Sequence, residues 1–432
     1  MASSIESIQR MLKLVMEEKK KPLNEIIKGL MNREKPVLPL IKPSKKISQG
    51  FIDRRWNILK EHTNATDEDQ EKLLDSSKPI EDYSVYENNI ENFIGMASMP
   101  IGLIGPLKIN GAFAEGEYYV PLATTEAALV ASYNRGAMVI GASGGCTTFI
   151  LNEGVSRVPG FVFNTMIDSG QFILWVSDKL DIFKGIVEDT TKHGKLVDLN
   201  TTLEGNHVYL DFEFTTGDAA GQNMVTISTN AIYNYILENC PIKPVHSYIE
   251  ANFSGDKKAN AQSFQNVRGK KVVAEVIIPG KVIEDLLHTT AEKMAKQWVL
   301  SAVGSIMSGS IGVQAHIANG LAALYIATGQ DAACVSESSI GITRAELTND
   351  GSLYVCLTLP NIITGTIGGG TKLPSQSAAL NIMNCLGAGN SRKFSEICAA
   401  MCLAGELSIA GAISAEHFTR AHQNLARGKN GK

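Results

Sequence analysis

The triplet Asp256-Lys257-Lys258, in EANFSGDKKANAQ, sets two ammonium groups beside a carboxylate after a loop of small residues. Such a triplet is either a solvated turn or an electrophilic site. In the second case a lysine kept charged by an aspartate stabilises the negative charge that grows on a carbonyl oxygen. That chemistry needs partners. Glu126, in PLATTEAALVASYNRGA, and Asp331, in ALYIATGQDAACV, are carboxylates that interrupt otherwise apolar helices, in segments apolar enough to be buried. A buried carboxylate must be paired, hydrogen-bonded or protonated. Each alone reads as half of a structural pair, whereas together with a lysine they form a network with shifted pKa values, the means of proton transfer. Near the C-terminus, EHFTRAHQNLARGKNGK adds His417 and His422, each either a surface histidine or a general acid. Their spacing of five is not the i, i+4 pair of a helical zinc site and no H-E-x-x-H occurs, so no metal is expected.

Three glycine-rich stretches are the other candidates. GDAAGQN, residues 217–223, lies between the apolar run HVYLDFEF and the segment MVTISTN. Glycines and an aspartate after a strand suit a nucleotide, but the spacing is not the G-x-G-x-x-G of the common dinucleotide fold. GTIGGG, residues 365–370, offers bare backbone to a ligand, and TTKHGK, residues 190–195, brings hydroxyls and cations suited to phosphate. Residues 141–145, GASGG, match G-x-S-x-G after apolar AMVI. Read as strand, tight turn and helix, they would make Ser143 a hydrolase nucleophile; otherwise the glycines let backbone approach backbone.

At 432 residues the chain exceeds what one hydrophobic core normally supports, which predicts two or three domains to position these residues. Residues 1–80 are charged and poor in glycine, with helical spacing in IESIQRMLKLVMEE and FIDRRWNILKEH, a helical arm with a polar linker at 43–46. From about residue 90, ENFIGMASMPIGLIGPLKING enters a compact core. Residues 159–249 alternate strand, helix, strand and helix, which predicts a small α+β unit inserted in a larger domain made of 81–158 and 250–432. The strand VVAEVIIP follows, then a helix-rich remainder. There Ala, Gly and Ser dominate 300–340 and 395–415, as very closely packed helices require.

A net charge of −4 gives no reason to expect nucleic acid or an anionic membrane. No window approaches the roughly 18 to 20 continuous apolar residues of a spanning helix, and the N-terminus lacks a cleavable signal pattern. A soluble, cytoplasmic protein is expected. The seven cysteines form no C-x-x-C pair and read as buried thiols in a reducing compartment, Cys398 and Cys402 included.

Taken in chain order, the pieces resemble one family, 3-hydroxy-3-methylglutaryl-CoA reductase. They are ENFIGMASMPIGLIGPL, PLATTEAALVASYNRGA, TTGDAAGQNM, SGDKK with RGKKVVAEVIIP, GQDAA, GTIGGGTKLPSQ and GELSIAGAISAEHFTRAH, from about residue 80 to 425. The family's D-A-M-G-x-N signature stands as Asp218-Ala219-Ala220-Gly221-Gln222-Asn223, with Ala220 in place of methionine. The resemblance implies an α+β fold in which a ferredoxin-like small domain holds NADPH, in preference to NADH, beside a large helix-rich domain that binds hydroxymethylglutaryl-CoA. It implies Glu126, Lys257, Asp331 and His422 as the catalytic set. Arg157 would contact the substrate's free carboxylate, Asp256 and Lys258 would contact the substrate on either side of Lys257, and Glu250 stands where many relatives have serine. Thr191 and Lys192 would meet the cofactor's 2′-phosphate, and Asp218, Gly221, Asn223, Gly368 and Gly369 would line the rest of its site. A soluble class I-like enzyme of the mevalonate pathway follows, a homodimer with a shared active site or a homotetramer, without nucleic acid or membrane partners. The competing expectations are a serine hydrolase acting through Ser143 and a silent homologue that only binds CoA.

Overall fold

Four helices open the chain: α1 (Ile5–Lys19), α2 (Leu23–Leu30), α3 (Gln49–His62) and α4 (Asp67–Leu74). The computed structural model describes residues 3–42, 48–74, 83–87 and 89–416. The linker at 43–46, the boundary at 80, His417 and His422 lie outside the described residues. The run with Gly and Pro that was read as entry to a core from about residue 90 is mostly exposed and irregular over 91–100; the strand β1 (Ile101–Gly111) forms only from its second half, and pairs with β2 (Glu115–Ala123). Helix α5 (Leu129–Ala142) leads to β3 (Cys146–Arg157). Then come β4 (Gly160–Val162), α6 (Met166–Ser177), α7 (Leu180–Thr190), β5 (Lys195–Glu204), β6 (His207–Thr215), α8 (Gln222–Asn239) and β7 (His246–Tyr248). The remainder comprises β8 (Gly269–Ile278), α9 (Gly280–Leu287), α10 (Ala291–Ser308), α11 (Ile317–Thr328), α12 (Val335–Ser338), the hairpin β9 (Ile342–Leu347) and β10 (Leu353–Ile362), α13 (Pro374–Ile382) and α14 (Ser391–Ser414).

Two sheets share one path. The larger runs β2-β1-β3-β8-β10-β9, with β1 and β3 parallel and every other neighbour antiparallel. The smaller runs β7-β4-β6-β5, antiparallel throughout, with helical crossovers from β4 to β5 and from β6 to β7. This is the order of a split βαβ repeat. Pro159, which has no N–H to donate, separates β3 from β4, yet both lie along β6, so the end of the large sheet's central strand continues as the first strand of the small one.

Each sheet has its own core. In the small unit Phe161, Phe163, Phe172, Phe183, Phe212 and Phe214 are almost wholly buried, with the Phe172 ring packed at a tilt against Phe161 and Phe163, centroids 4.9 Å apart in each pair. In the large unit α14 is buried along nearly its whole length. Small residues make that possible. A methyl at Gly136 would fall 1.8 Å from the Ala404 carbonyl oxygen, and methyls at Gly320 or Gly405 would strike the Tyr133 ring at 2.4 Å. Overpacking such a contact costs on the order of 1–3 kcal/mol. By length and composition α14 alone among the described residues could cross a membrane, unlike the sequence expectation, but 78% of its apolar window is buried in the protein.

The N-terminal helices dock on the same chain. Met11 and Val15, one turn apart on α1, are fully buried, and Arg10 donates to Asn152 of β3 at 3.1 Å. Trp56 and Leu59 of α3 pack with Tyr119 and Ile382. The buried Asp69 of α4 accepts from Thr66 N at 2.9 Å and from Asn381 at 3.3 Å.

Candidate active site

Lys257 sits in the loop between β7 and β8 with φ +58°. A left-handed backbone costs a residue with a Cβ about 1–2 kcal/mol and persists only where its surroundings hold it. Glu337 of α12, fully buried, accepts the Lys257 N–H on Oε1 at 2.9 Å, and Ser336 Oγ donates to the Lys257 carbonyl at 2.6 Å. Glu337 Oε2 accepts from Arg268 Nε at 2.8 Å. The Arg268 guanidinium reaches on to Asp256 Oδ1 at 2.5 Å and to the Ser156 carbonyl at 2.9 Å. Desolvation works against the Arg268 charge, but Glu337 and Asp256 outweigh it and raise its pKa. Burial raises the Glu337 pKa, opposed by Arg268 and the Lys257 N–H. Arg268 and Glu337 thus form a buried foundation under the lysine loop.

From that foundation the Lys257 side chain emerges and meets Asp331, Nζ to Oδ2 at 2.7 Å, with both side chains about two-fifths exposed. The hydrogen bond that Lys257 donates to Asp331 raises the Lys257 pKa above its ordinary value, so the ammonium stays charged at neutral pH. One of its three donors goes to Asp331, which leaves an exposed cation able to receive an oxyanion. Asp331 itself is fixed by accepting the Ala333 N–H on Oδ1 at 3.0 Å.

The residues before Asp331 bring a glycine loop to it. Gly329 ends α11 at φ +70°, and a methyl there would fall 2.3 Å from the Gly370 carbonyl oxygen. Gln330 clamps Gly365, accepting its N–H at 2.8 Å and donating to its carbonyl at 3.0 Å. Beyond the clamp, Gly368 (φ +74°) and Gly369 (φ +51°) face open space where a Cβ would lie.

GDAAGQN closes on the same loop. The Asp218 carboxylate accepts the N–H groups of Gly389 at 2.8 Å and Ser391 at 3.1 Å, the start of α14, and its carbonyl accepts the Thr366 N–H at 2.8 Å. Gly221, at φ +79°, begins α8, and no side chain caps that helix. Its first-turn N–H groups suit an anion, with Asn223 exposed among them. Gln222 donates to Cys334 Sγ at 2.8 Å, which ties the start of α8 to the turn that Asp331 caps. Thr191, at the end of α7, lies 3.1 Å from Met224 Sδ, so Thr191 and the exposed Lys192 stand beside the same helix start.

Other expected residues are placed differently. Glu126 and Asp331 were expected inside buried helices, but both are exposed in turns at helix ends, since α5 starts at Leu129 and α11 stops at Thr328. The Glu126 carboxylate accepts from Asn319 at 3.3 Å rather than from Lys257. Arg157 is buried, its Nη1 paired with Glu250 at 2.7 Å and Asp256 at 3.4 Å. Lys258 donates to the Asp256 carbonyl at 2.7 Å. The G-x-S-x-G segment is helix, turn, strand, the reverse of a nucleophile elbow. Ser143 Oγ donates to the Val139 carbonyl at 2.8 Å, and a methyl at Gly144 would fall 2.2 Å from the Arg33 carbonyl oxygen. The seven cysteines are free thiols. Arg268, Glu337 and Asn319 were missed by sequence reasoning; only the charges in FQNVRGKK and SESS pointed to the first two.

Comparison with known proteins agrees with these motifs. The profile of the family described as hydroxymethylglutaryl-coenzyme A reductase matches residues 51–427. The 3-hydroxy-3-methylglutaryl-coenzyme A reductase of Pyrococcus abyssi is 45% identical over 370 residues, covering 83% of this chain and 90% of that protein. Its counterpart in Methanocaldococcus jannaschii is 38% identical over 416 residues, 94% of this chain and 99% of that one. Among solved structures, the class II enzyme of Streptococcus pneumoniae bound to NADPH superposes with a TM-score of 0.68 over 85% of this chain and all of that one, at 18% identity, a likeness of fold. With the family's profile spanning nearly the whole chain and relatives this similar along most of it, the chain belongs to the hydroxymethylglutaryl-coenzyme A reductase family.

Proposed function

We propose that this chain reduces 3-hydroxy-3-methylglutaryl-CoA to mevalonate and free CoA with two NADPH, the step that commits carbon to isoprenoids by the mevalonate pathway. The observation that carries this reading is the Lys257–Asp331 ion pair, tied through Cys334 and Gln222 to the uncapped start of α8. An electrophile for a thioester oxygen thus stands next to an anion-binding helix end. The residues fit NADPH: the α8 N–H groups and Asn223 for its phosphates, the open glycines Gly368 and Gly369 for close approach, and Thr191 with Lys192 for the 2′-phosphate. Asp218 serves by fixing the loop's shape. When bound, NADPH supplies a hydride in each of two reductions.

In this reading the chain's own groups manage charge and protons. Lys257 holds the oxyanion while the thioester becomes a hemithioacetal, so the electrophile is an ammonium and the reaction needs no metal. His422 protonates the departing CoA thiolate, and Glu126 gives the proton when mevaldehyde becomes mevalonate. Asp331 holds the Lys257 charge. Arg157 receives the free carboxylate, and Asp256 and Lys258 contact the substrate on either side of Lys257. The ferredoxin-like unit of 159–249 binds the cofactor; 81–158 with 250–432 binds CoA. Because Glu126 bonds Asn319 and not Lys257, we assign completion of the site to a second copy in a homodimer, paired further into a tetramer. The D-K-K triplet supports a class I-like enzyme, and the free cysteines support a soluble protein in a reducing, cytoplasmic compartment.

The test is oxidation of NADPH and of NADH with hydroxymethylglutaryl-CoA, by the parent and by Lys192→Ala. Preference for NADPH, narrowed in the variant, is expected; an equal rate with both cofactors in the parent contradicts the assignment. Mixing Glu126→Gln with Lys257→Ala subunits tests the shared site. Recovery of about a quarter of parental activity is expected from random exchange, and no recovery after verified exchange refutes sharing.

A further inference from the structure

We propose that Glu250 sets how strongly this site prefers an acyl thioester ending in a carboxylate, by competing from within the chain for the Arg157 guanidinium. The proposal rests on the reading that Arg157 receives the substrate's free carboxylate. Among the cations around the lysine loop, Lys257 is engaged by Asp331, Arg268 is enclosed by Glu337, Asp256 and the Ser156 carbonyl, and Lys258 turns to the Asp256 carbonyl. Arg157 differs. It is 8% exposed, its Nε is buried without a partner, and its shortest ion pair is the 2.7 Å contact to Glu250.

Glu250 is well placed to hold on. Its Oε1 accepts the Asn252 N–H at 2.7 Å, and Ser254 Oγ lies 3.3 Å from both carboxylate oxygens. Its side chain is 29% exposed, so it lies at the rim of the buried guanidinium, on the side open to solvent. A carboxylate arriving from solvent meets the Glu250 anion at the same N–H. Two carboxylates sharing one site repel, so the incoming group must displace Glu250 or bind less tightly. An uncharged chain end escapes that competition. Glu250 therefore lowers the selectivity for the carboxylate that Arg157 would otherwise confer.

The experiment compares kcat/KM for hydroxymethylglutaryl-CoA with kcat/KM for its terminal carboxamide, in the parent, Glu250→Ser and Glu250→Gln. Glu250→Gln retains acceptors for Asn252 and Ser254, so it guards against a loop that fails to fold. The carboxylate-to-amide ratio is expected to rise about tenfold or more in both variants, as a freed charge-assisted pair would give. An unchanged or lower ratio in both, with unfolding midpoints near the parent's, overturns the proposal and leaves Glu250 as a brace for the loop. Adding Arg157→Gln to Glu250→Ser separates the two ideas. Return of the ratio to the parental value supports both, whereas a ratio indifferent to Arg157 rejects the Arg157 assignment and the proposal with it. A ratio that responds to Arg157 in the parent but not to Glu250 rejects the proposal alone.

Discussion

Removing Glu337 should detach Lys257 from its foundation. Glu337 is fully buried and accepts two bonds, 2.8 Å from Arg268 Nε and 2.9 Å from the Lys257 N–H. Glu337→Ala strips both and leaves the buried Arg268 paired on one side only, a class of change that costs about 3–5 kcal/mol. Glu337→Gln keeps one acceptor and loses the charge-assisted bond, for about 1.5–3 kcal/mol. The left-handed backbone of Lys257 then has less to hold it, and a displacement of its ammonium by about 1 Å costs on the order of 100-fold in rate. Thermal unfolding should rank parent, Glu337→Gln and Glu337→Ala in falling order. At a temperature where all three are folded, kcat for thioester reduction should follow that order, with the alanine variant about 100-fold below the parent. A Glu337→Ala protein that is destabilised but retains parental kcat would show that the network supports the fold and not the lysine. No change in either quantity would refute the network itself.

Asp331→Asn removes the carboxylate that chiefly raises the Lys257 pKa, so the alkaline limb of the kcat/KM profile should move to lower pH; an unmoved limb would dissociate Asp331 from the lysine's charge. Glu396, buried in α14, accepts the Phe113 and Ala114 N–H groups on one oxygen while the other has no partner, and burial lifts its pKa from the ordinary 4.5 to about 8. Between those values the folded state keeps a proton that the unfolded state has released. Its contribution is thus present at low pH and lost by ~1.4 kcal/mol per unit as pH rises through that window. Denaturant titrations should show a shallower decline for Glu396→Gln than for the parent; parallel curves would count against it. At Gly221, φ +79° and a Cβ position 2.2 Å from Thr216 Cγ2 predict that Gly221→Ala loses about 1–2 kcal/mol of stability and weakens NADPH binding in a fluorescence titration, where an unchanged Kd would argue against a cofactor role.

Much of this was legible in residue order. HVYLDFEF alternates as a half-buried strand should, and β6 is there, while the glycine and small-residue content of 395–415 matched a helix whose neighbours press against its backbone. Other elements were hidden for physical reasons. The apolar run AMVI before GASGG fits a strand or a helix equally well at that length, and only the packing of α5 on α14 decided for helix. Strand β5 carries polar residues on its exposed face and follows a helical run, so its pattern was lost; the β9–β10 hairpin disappeared into a remainder dominated by helices. In the site, residue types were readable but geometry was not. Lys257 and Asp331 belong to distant segments, joined where Glu337 and Ser336 bond the Lys257 backbone. Arg268 looked like one more charge at the start of a strand, because nothing local marks a guanidinium that will be buried. Glu126 was expected in a helix interior from its apolar neighbours, yet those neighbours are buried by α5 and β2 while the turn between them projects to solvent.

The proposed reaction can be followed by counting, in one vessel, NADPH oxidised from nicotinamide absorbance and CoA thiol released by a thiol reagent, with hydroxymethylglutaryl-CoA limiting and Lys257→Ala as control. Two cofactor molecules oxidised for each thiol released, and loss of both signals in the variant, are expected if the Lys257 ammonium held by Asp331 receives the thioester oxygen. Thiol release without cofactor oxidation, or parental turnover by folded Lys257→Ala protein, would contradict it.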